Sequence, residues 1–147
     1  MQLSDGAVEA ILERWPMAVL TTIGEHGPHA VPIVFARSEG ALWSPIDAKP
    51  KRGGELARLR NVRRDPRVAL LWTHYDDDWE HLWWLRADGA AGIRGAREAH
   101  SEPALAALRR KYPQYERTEL IGPGALLLRI EITALRSWCA SASVVTA

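Results

Sequence analysis

The feature that most restricts the fold of this sequence is a series of short apolar runs separated by clusters of turn-forming residues. Residues 17–23, 29–36 and 41–46 each have the length and composition of a strand, and glycine-containing turns stand between them. Runs of this kind joined by tight turns predict antiparallel strands. We therefore expect the first three strands to form a meander in which each pairs with the next.

Three further strands are predicted along the rest of the chain. Residues 68–72 are continuously apolar, which indicates a strand covered on both faces. Residues 81–93 predict a long strand or hairpin arm in which Trp83 and Trp84 point to opposite faces, and residues 125–138 predict a final strand. The sequence thus predicts six antiparallel strands.

Three helices accompany the strands. Ser4 is a predicted N-cap for the first helix, an apolar stripe of Leu56, Leu59 and Val62 marks the second, and Ser101 opens the third. Six antiparallel strands with about three helices predict a small β-barrel of the α+β class. A chain of 147 residues without an internal repeat is expected to form one domain spanning residues 1–147.

Positive charge is concentrated in one segment. Residues 49–64 contain seven basic side chains and one acidic side chain, although the formal net charge of the whole chain is only +1. Pro50 stiffens the start of this segment, and Gly53 and Gly54 allow close approach of the backbone to a ligand where a helix is predicted to begin. A helix start beside basic side chains favours a phosphate, whereas the simpler alternative is a solvated basic loop.

Other classes of site find little support in the sequence. Cys139 is the single cysteine, and the five histidines lack metal-ligand spacing, so we expect no metal site. No nucleotide-binding glycine motif or nucleophile elbow occurs. No apolar run is long enough to span a bilayer, and no nucleic-acid-binding motif accompanies the arginines. A cytoplasmic protein with an anion site and no catalytic side-chain set is expected, which fits chemistry that belongs to a bound cofactor.

Several consecutive segments resemble the pyridoxamine 5′-phosphate oxidase-like split β-barrel proteins, and among these the branch of enzymes that use the deazaflavin coenzyme F420. The segments are AVLTTIGEHGPHAVPIVFA, LWSPIDAKPKR, ELARLRNVRRDPRVALLW and WWLRADGAA. The resemblance implies a homodimer of split β-barrels with a flavin or deazaflavin in a cleft between the subunits. The C-terminal sequence RSWCASASVVTA differs from the substrate-binding segment of true pyridoxamine phosphate oxidases, so oxidation of vitamin B6 is not expected.

The resemblance also implies which residues bind the cofactor. Basic residues after the third strand would hold its phosphate, with one glycine contributing backbone. A proline-containing part of the second strand would lie along the ring system, and one of two tryptophans would border the cleft. The implied residues are Val31, Pro32, Ile33, Ser44, Lys49, Lys51, Arg52, Gly53, Trp83 and Trp84.

The function implied is hydride transfer between F420 and a small organic substrate. An FMN-dependent oxidoreductase of the same fold is the alternative enzyme, and a flavin- or deazaflavin-binding protein without turnover is the alternative of another class. F420 carries a glutamate tail beyond its phosphate, so a longer positive track favours it over FMN. The track would consist of the loop cations followed by the helix arginines Arg58, Arg60, Arg63 and Arg64.

Overall fold

The computed structural model describes residues 1–46 and 55–142. It contains three α-helices and seven strands. The helices are α1 (Asp5–Arg14), α2 (Ala57–Arg64) and α3 (Glu102–Lys111). The strands are β1 (Ala18–Gly24), β2 (Gly27–Ile33), β3 (Ala36–Ser38), β4 (Ala41–Ile46), β5 (Arg67–His74), β6 (Trp83–Gly95) and β7 (Leu126–Cys139).

All pairings in the sheet are antiparallel, and its strand order is β2-β1-β5-β6-β7-β4-β3. The α+β class is therefore confirmed, with seven strands rather than the six predicted. The extra strand arises because the predicted second strand, residues 29–36, is divided into the end of β2 and the start of β3. The predicted pairing of the second and third strands survives only at Ala36, which lies opposite Trp43 of β4, and β4 otherwise pairs with the rest of β3 and with β7 rather than with β2.

A single tyrosine explains the division. The Phe35 N–H donates to the Tyr112 hydroxyl at 3.1 Å, and that hydroxyl lies 3.0 Å from the Phe35 carbonyl oxygen and 2.9 Å from the Pro16 carbonyl oxygen. The backbone of Phe35 is thus hydrogen-bonded by a side chain 77 residues away instead of by a neighbouring strand. The chain turns here, and the strands on either side lie at opposite ends of the sheet.

Two groups of buried side chains hold the fold together. The larger one joins α1 and α2 to the inner face of the sheet through residues such as Ile11, Leu20 and Trp72. The smaller one packs α3 against β3, β4 and β7 through Leu105 and Leu108 among others. Burial of such side chains supplies the main favourable free energy of folding.

The outer face of the sheet is open. Leu71 in β5 is 38% exposed, so the prediction of a strand covered on both faces is wrong for this chain. Trp83 and Trp84 point to opposite faces as predicted, with Trp83 buried at 2% exposure and Trp84 at 36%. Within the described residues, no helix is long and apolar enough to cross a membrane.

Candidate functional site

A cleft of about 400 Å³ opens between β2, β4 and the segment that connects α3 to β7. The start of α2 also contributes to its wall. This volume lies in the usual range for sites that bind small molecules or cofactors. The lining residues are Pro32, Ile33, Val34, Ser44, Pro45, Ile46, Arg58, Tyr115, Thr118, Glu119, Leu120, Gly122, Pro123 and Ala125.

Three of the residues implied by the family resemblance lie in this cleft. Pro32 and Ile33 reach it from β2, and Ser44 reaches it from β4. Pro32 lies in β2, an edge strand of the described sheet, which is where a residue without an N–H is normally found in a strand. Ser44 is 1% exposed and lies opposite Leu128 of β7, so its backbone is fixed by the sheet.

The other implied residues of the strands lie elsewhere in this chain. Val31 packs against the larger core instead of lining the cleft. Trp83 packs edge-on against Trp15, with ring centroids 4.8 Å apart. Trp83 lies opposite Cys139 at one end of β7, whereas the cleft adjoins the other end, where Leu126 lies opposite Ile46. Neither Trp83 nor Trp84 lines the cleft of a single chain.

The basic loop that carried the phosphate prediction lies outside the described residues. Lys49, Lys51, Arg52 and Gly53 fall between Ile46 and Glu55, the described residues that border this gap. Ile46 lines the cleft. Helix α2 begins at Ala57, three residues after the glycine pair at which the sequence predicted its start.

Arg58 is the charged residue that α2 contributes to the cleft. Its Nε atom is buried and has no hydrogen-bond partner among the described residues. Burial lowers the pKa of the Arg58 guanidinium from its ordinary value, although an arginine remains charged under all ordinary conditions. A partly desolvated guanidinium that lines a cleft, with an Nε that has no partner among the described residues, favours an anionic ligand, because a phosphate or carboxylate oxygen would accept a hydrogen bond from it.

The remaining helix arginines do not extend this positive charge along the cleft. Arg63 forms an ion pair with Glu55 at 2.8 Å, and Arg60 donates to the Glu55 carbonyl oxygen. Arg64 donates to the Ile23 carbonyl oxygen at 3.2 Å. No sequence pattern separates Arg58 from the other three, because the difference depends on how α2 packs against the sheet.

One wall of the cleft was not predicted from the sequence. It comes from the 3₁₀ helix Pro113–Glu116 and the residues that follow, which place Tyr115, Thr118 and Glu119 on the cleft. Burial raises the pKa of Tyr115, so its hydroxyl stays protonated near neutral pH. The Tyr115 ring packs edge-on against Tyr112, with centroids 6.1 Å apart, which positions it on the wall.

The described residues 1–46 and 55–142 hold no group of three or more histidine, cysteine, aspartate or glutamate side chains that could bind a metal ion. The arrangement in the cleft is instead an apolar surface of prolines and aliphatic side chains with the half-buried cation of Arg58, the carboxylate of Glu119 and a few hydroxyl groups. Such a surface can hold a flat ring beside an anionic group, and it can exclude water from them.

Comparison with known proteins places this architecture in a family. The profile of the family described as pyridoxamine 5′-phosphate oxidase matches residues 4–139. The chain belongs to the pyridoxamine 5′-phosphate oxidase family. No curated protein matches the sequence. The family assignment confirms the split β-barrel fold expected from the sequence.

Solved structures with the same fold include proteins named for different functions. A conserved hypothetical protein, Rv2991 from Mycobacterium tuberculosis, superposes with a TM-score of 0.74 at 23% identity, over 94% of this chain and 86% of that one. A FAD-binding protein from Mesorhizobium loti gives 0.70 at 17% identity, over 93% of both chains. An F420 reductase gives 0.61 at 20% identity, over 87% of this chain and 94% of that one. At these identities the likeness concerns the fold.

Proposed function

We propose that this member of the pyridoxamine 5′-phosphate oxidase family is an oxidoreductase that uses F420 and transfers a hydride between it and a small organic substrate. The observation that carries the proposal is Arg58, which lines a cleft also lined by Pro32 and Ser44 and whose buried Nε has no hydrogen-bond partner among the described residues. The cleft is lined by Ile46, which precedes the basic loop, and by Arg58 in the first turn of α2, which follows it.

The residues of the cleft fit a ring system attached to a phosphate. Arg58, together with the loop residues Lys49, Lys51 and Arg52, would hold the phosphate by charge-assisted hydrogen bonds. Pro32 and Ile33 would lie along the ring, and the buried Ser44 hydroxyl would contact its polar edge. Gly53 would allow the backbone to approach the phosphate closely.

The bound deazaflavin would supply the hydride. The chain would bind and orient the two reactants and keep water from them, which are the contributions expected of a protein that works through a cofactor. Tyr115 and Thr118 also line the cleft, and their hydroxyl groups would contact a small substrate.

The proposed enzyme is a homodimer with the cofactor at the subunit interface. Support comes from the open outer face of the sheet, where Leu71, Trp84 and Trp138 are 36–40% exposed. Apolar side chains grouped on one face of a sheet are typical of a surface that a partner covers. In such a dimer, Trp84 of the partner subunit would be free to border the cleft even though it does not do so within one chain.

FMN is the second candidate, and one observation favours it. Of the four helix arginines, only Arg58 lines the cleft, so the positive track expected for a glutamate tail is shorter than the sequence suggested. FMN ends at its phosphate and needs no such track. The structural likeness to an F420 reductase supports F420, and the likeness to a FAD-binding protein supports a flavin as the ligand.

Titration of the apo-protein with F420 and with FMN, each at low and at moderate salt, tests the choice. We expect F420 to bind more tightly and to lose affinity more steeply with salt, because more separated charges are screened. Tighter binding of FMN at both salt concentrations would overturn the assignment. Tight F420 binding with no oxidation of reduced F420 by a panel of quinone, enone and nitro compounds would indicate a binding protein.

A further inference from the structure

A second cavity, of about 370 Å³, lies between the C-terminal turns of α1 and α3 and the strand β3. It shares no lining residue with the cleft. We propose that this cavity binds a dianionic oxyanion, namely the phosphate group of a small phosphate monoester. The lining residues are Glu13, Arg14, Ala36, Arg37, Ala107, Arg110 and Lys111.

The charges of the lining leave three cations without an acidic partner. Arg37 is occupied, because it lies 2.6 Å from Glu9 and 3.9 Å from Glu13. In the described part of the chain, Arg14, Arg110 and Lys111 form no ion pair within 4.0 Å. Glu13 is the one acidic side chain of the lining, against the four cations Arg14, Arg37, Arg110 and Lys111, so the lining carries a net charge of +3. This balance favours a ligand with two negative charges.

The simplest alternative is that these cations stabilise helix ends. Arg14 lies in the last turn of α1, and Arg110 and Lys111 lie in the last turn of α3, where cations interact favourably with the helix dipole. This accounts for the exposed Arg14 and Arg110. It does not account for Lys111, because a cation that serves the dipole alone would keep its amine in water.

The Lys111 amine is instead removed from solvent. Its Nζ atom lies 3.5 Å from the centroid of the Phe35 ring and 5.4 Å from that of Tyr112. Nζ is buried and has no hydrogen-bond partner among the described residues. An ammonium carries three N–H donors, and the aromatic faces satisfy it only in part. Lys111 lines the cavity, so a rotation of its flexible side chain toward a bound oxyanion would let the amine donate hydrogen bonds to it.

The proposed anion binding should depend on pH, because it involves the protonated Lys111 amine. Burial lowers the pKa of Lys111 to about 8, and only the charge of Glu13 opposes this effect. The other charged groups around the amine are Arg14 from α1, Arg37 from β3 and Arg110 from α3. Because an anion stabilises the ammonium, its binding should be accompanied by proton uptake near pH 8 and should weaken as the pH rises further.

Sulfate is a suitable probe, since it keeps two charges across this pH range. Sodium sulfate would be titrated into the ¹⁵N-labelled full chain at constant ionic strength maintained with sodium chloride. We expect saturable amide shifts at Arg37, Ala107 and Arg110. Lys111→Met should weaken binding by about 10-fold or more, as should Arg110→Gln, whereas Arg109→Gln, one residue from the cavity lining, should change it by less than about 2-fold.

Two further measurements, a pH series and a competition experiment, make the result decisive. Sulfate affinity of the wild-type chain should fall between pH 7 and pH 9, and this fall should largely disappear in Lys111→Met. Glycerol 3-phosphate should compete with sulfate for the same amides. Shifts that are linear in sulfate, or an unchanged affinity in both Lys111→Met and Arg110→Gln, would overturn the site. Sulfate binding without competition by glycerol 3-phosphate would overturn the phosphate-monoester assignment. Sulfate-induced shifts at the amides of Ile33 and Ser44, without shifts around the second cavity, would show that sulfate binds in the cleft and would also overturn the site.

Discussion

Trp84 and Trp138 lie directly opposite each other on β6 and β7, and they are 36% and 40% exposed on the outer face of the sheet. Leu71 of β5 lies on the same face. Large apolar side chains placed together in this way leave apolar area in contact with water, and a second copy of the chain would remove it.

We predict that the protein sediments as a dimer at micromolar concentration and that Trp138→Glu converts it to a 16.4 kDa monomer. A carboxylate at the centre of the interface would be desolvated without a partner. Trp79→Glu is the matched control, because Trp79 is 68% exposed and lies in a 3₁₀ helix outside the sheet. A wild-type monomer would contradict both the dimer and a cofactor site shared between subunits.

Arg58→Gln should reduce cofactor affinity by about 1.5–3 kcal/mol, because it removes a charge-assisted hydrogen bond in a partly desolvated cleft. Equilibrium titration monitored by cofactor fluorescence would measure the change. Arg63→Gln serves as the control, since Arg63 is paired with Glu55 and does not line the cleft. An equal loss in both variants would mean that Arg58 acts only through the overall charge.

Lys51→Ala tests the basic loop independently of Arg58. If Lys51 makes a charge-assisted bond to the phosphate, the variant should lose about 1.5–3 kcal/mol of binding free energy in the same titration. Glu25→Ala, in the turn between β1 and β2, should bind nearly as well as the wild type. If Lys51→Ala binds the cofactor as well as the wild type does, the loop is better interpreted as a solvated basic surface.

Thr22→Val should lower the free energy of unfolding by about 1–3 kcal/mol, because it leaves a buried amide without its acceptor. Asn61 of α2 donates from Nδ2 to the Thr22 hydroxyl of β1 at 2.9 Å, and both residues are buried. Urea denaturation would measure the loss. Thr21→Val, on the opposite and partly exposed face of the same strand, should change the stability by less than about 0.5 kcal/mol.

The pH dependence of stability should contain a contribution from Lys111. Burial lowers its pKa from 10.5 to about 8, so between these values the unfolded chain binds more protons than the folded chain. The contribution of Lys111 to the free energy of unfolding therefore increases as the pH rises through that interval. Lys111→Met should be more stable than the wild type at pH 7, and the difference should shrink by pH 10.

Urea denaturation of both proteins at several pH values would measure this difference. Arg109→Met is the control, because Arg109 is exposed and its guanidinium does not titrate in the range. A difference between Lys111→Met and wild type that stays constant from pH 7 to pH 10 would contradict the lowered pKa.

Elements with local signals were predictable from the sequence alone. Helix α1 begins where the Ser4 hydroxyl accepts a hydrogen bond from the Ala7 N–H at 3.2 Å, as a capping residue should. Strand β4 has the predicted bounds, 41–46, and α3 opens at the predicted Ser101-Glu102-Pro103 sequence. In each case the determining interactions lie within a few residues of one another, so the pattern of side chains was sufficient.

The order of the strands and the composition of the cleft depended on contacts between distant residues. The bonds between Phe35 and Tyr112 span 77 residues and divide the predicted second strand, and no local pattern announces them. Pro32 and Ser44 were expected near a ligand, but Arg58 and Tyr115 join them only because α2 and the segment after α3 pack beside β2 and β4. The sequence determined most of the strands, the helices and the family resemblance. The tertiary structure decided which helix arginine lines the cleft and is partly desolvated, since desolvation depends on everything packed around a side chain.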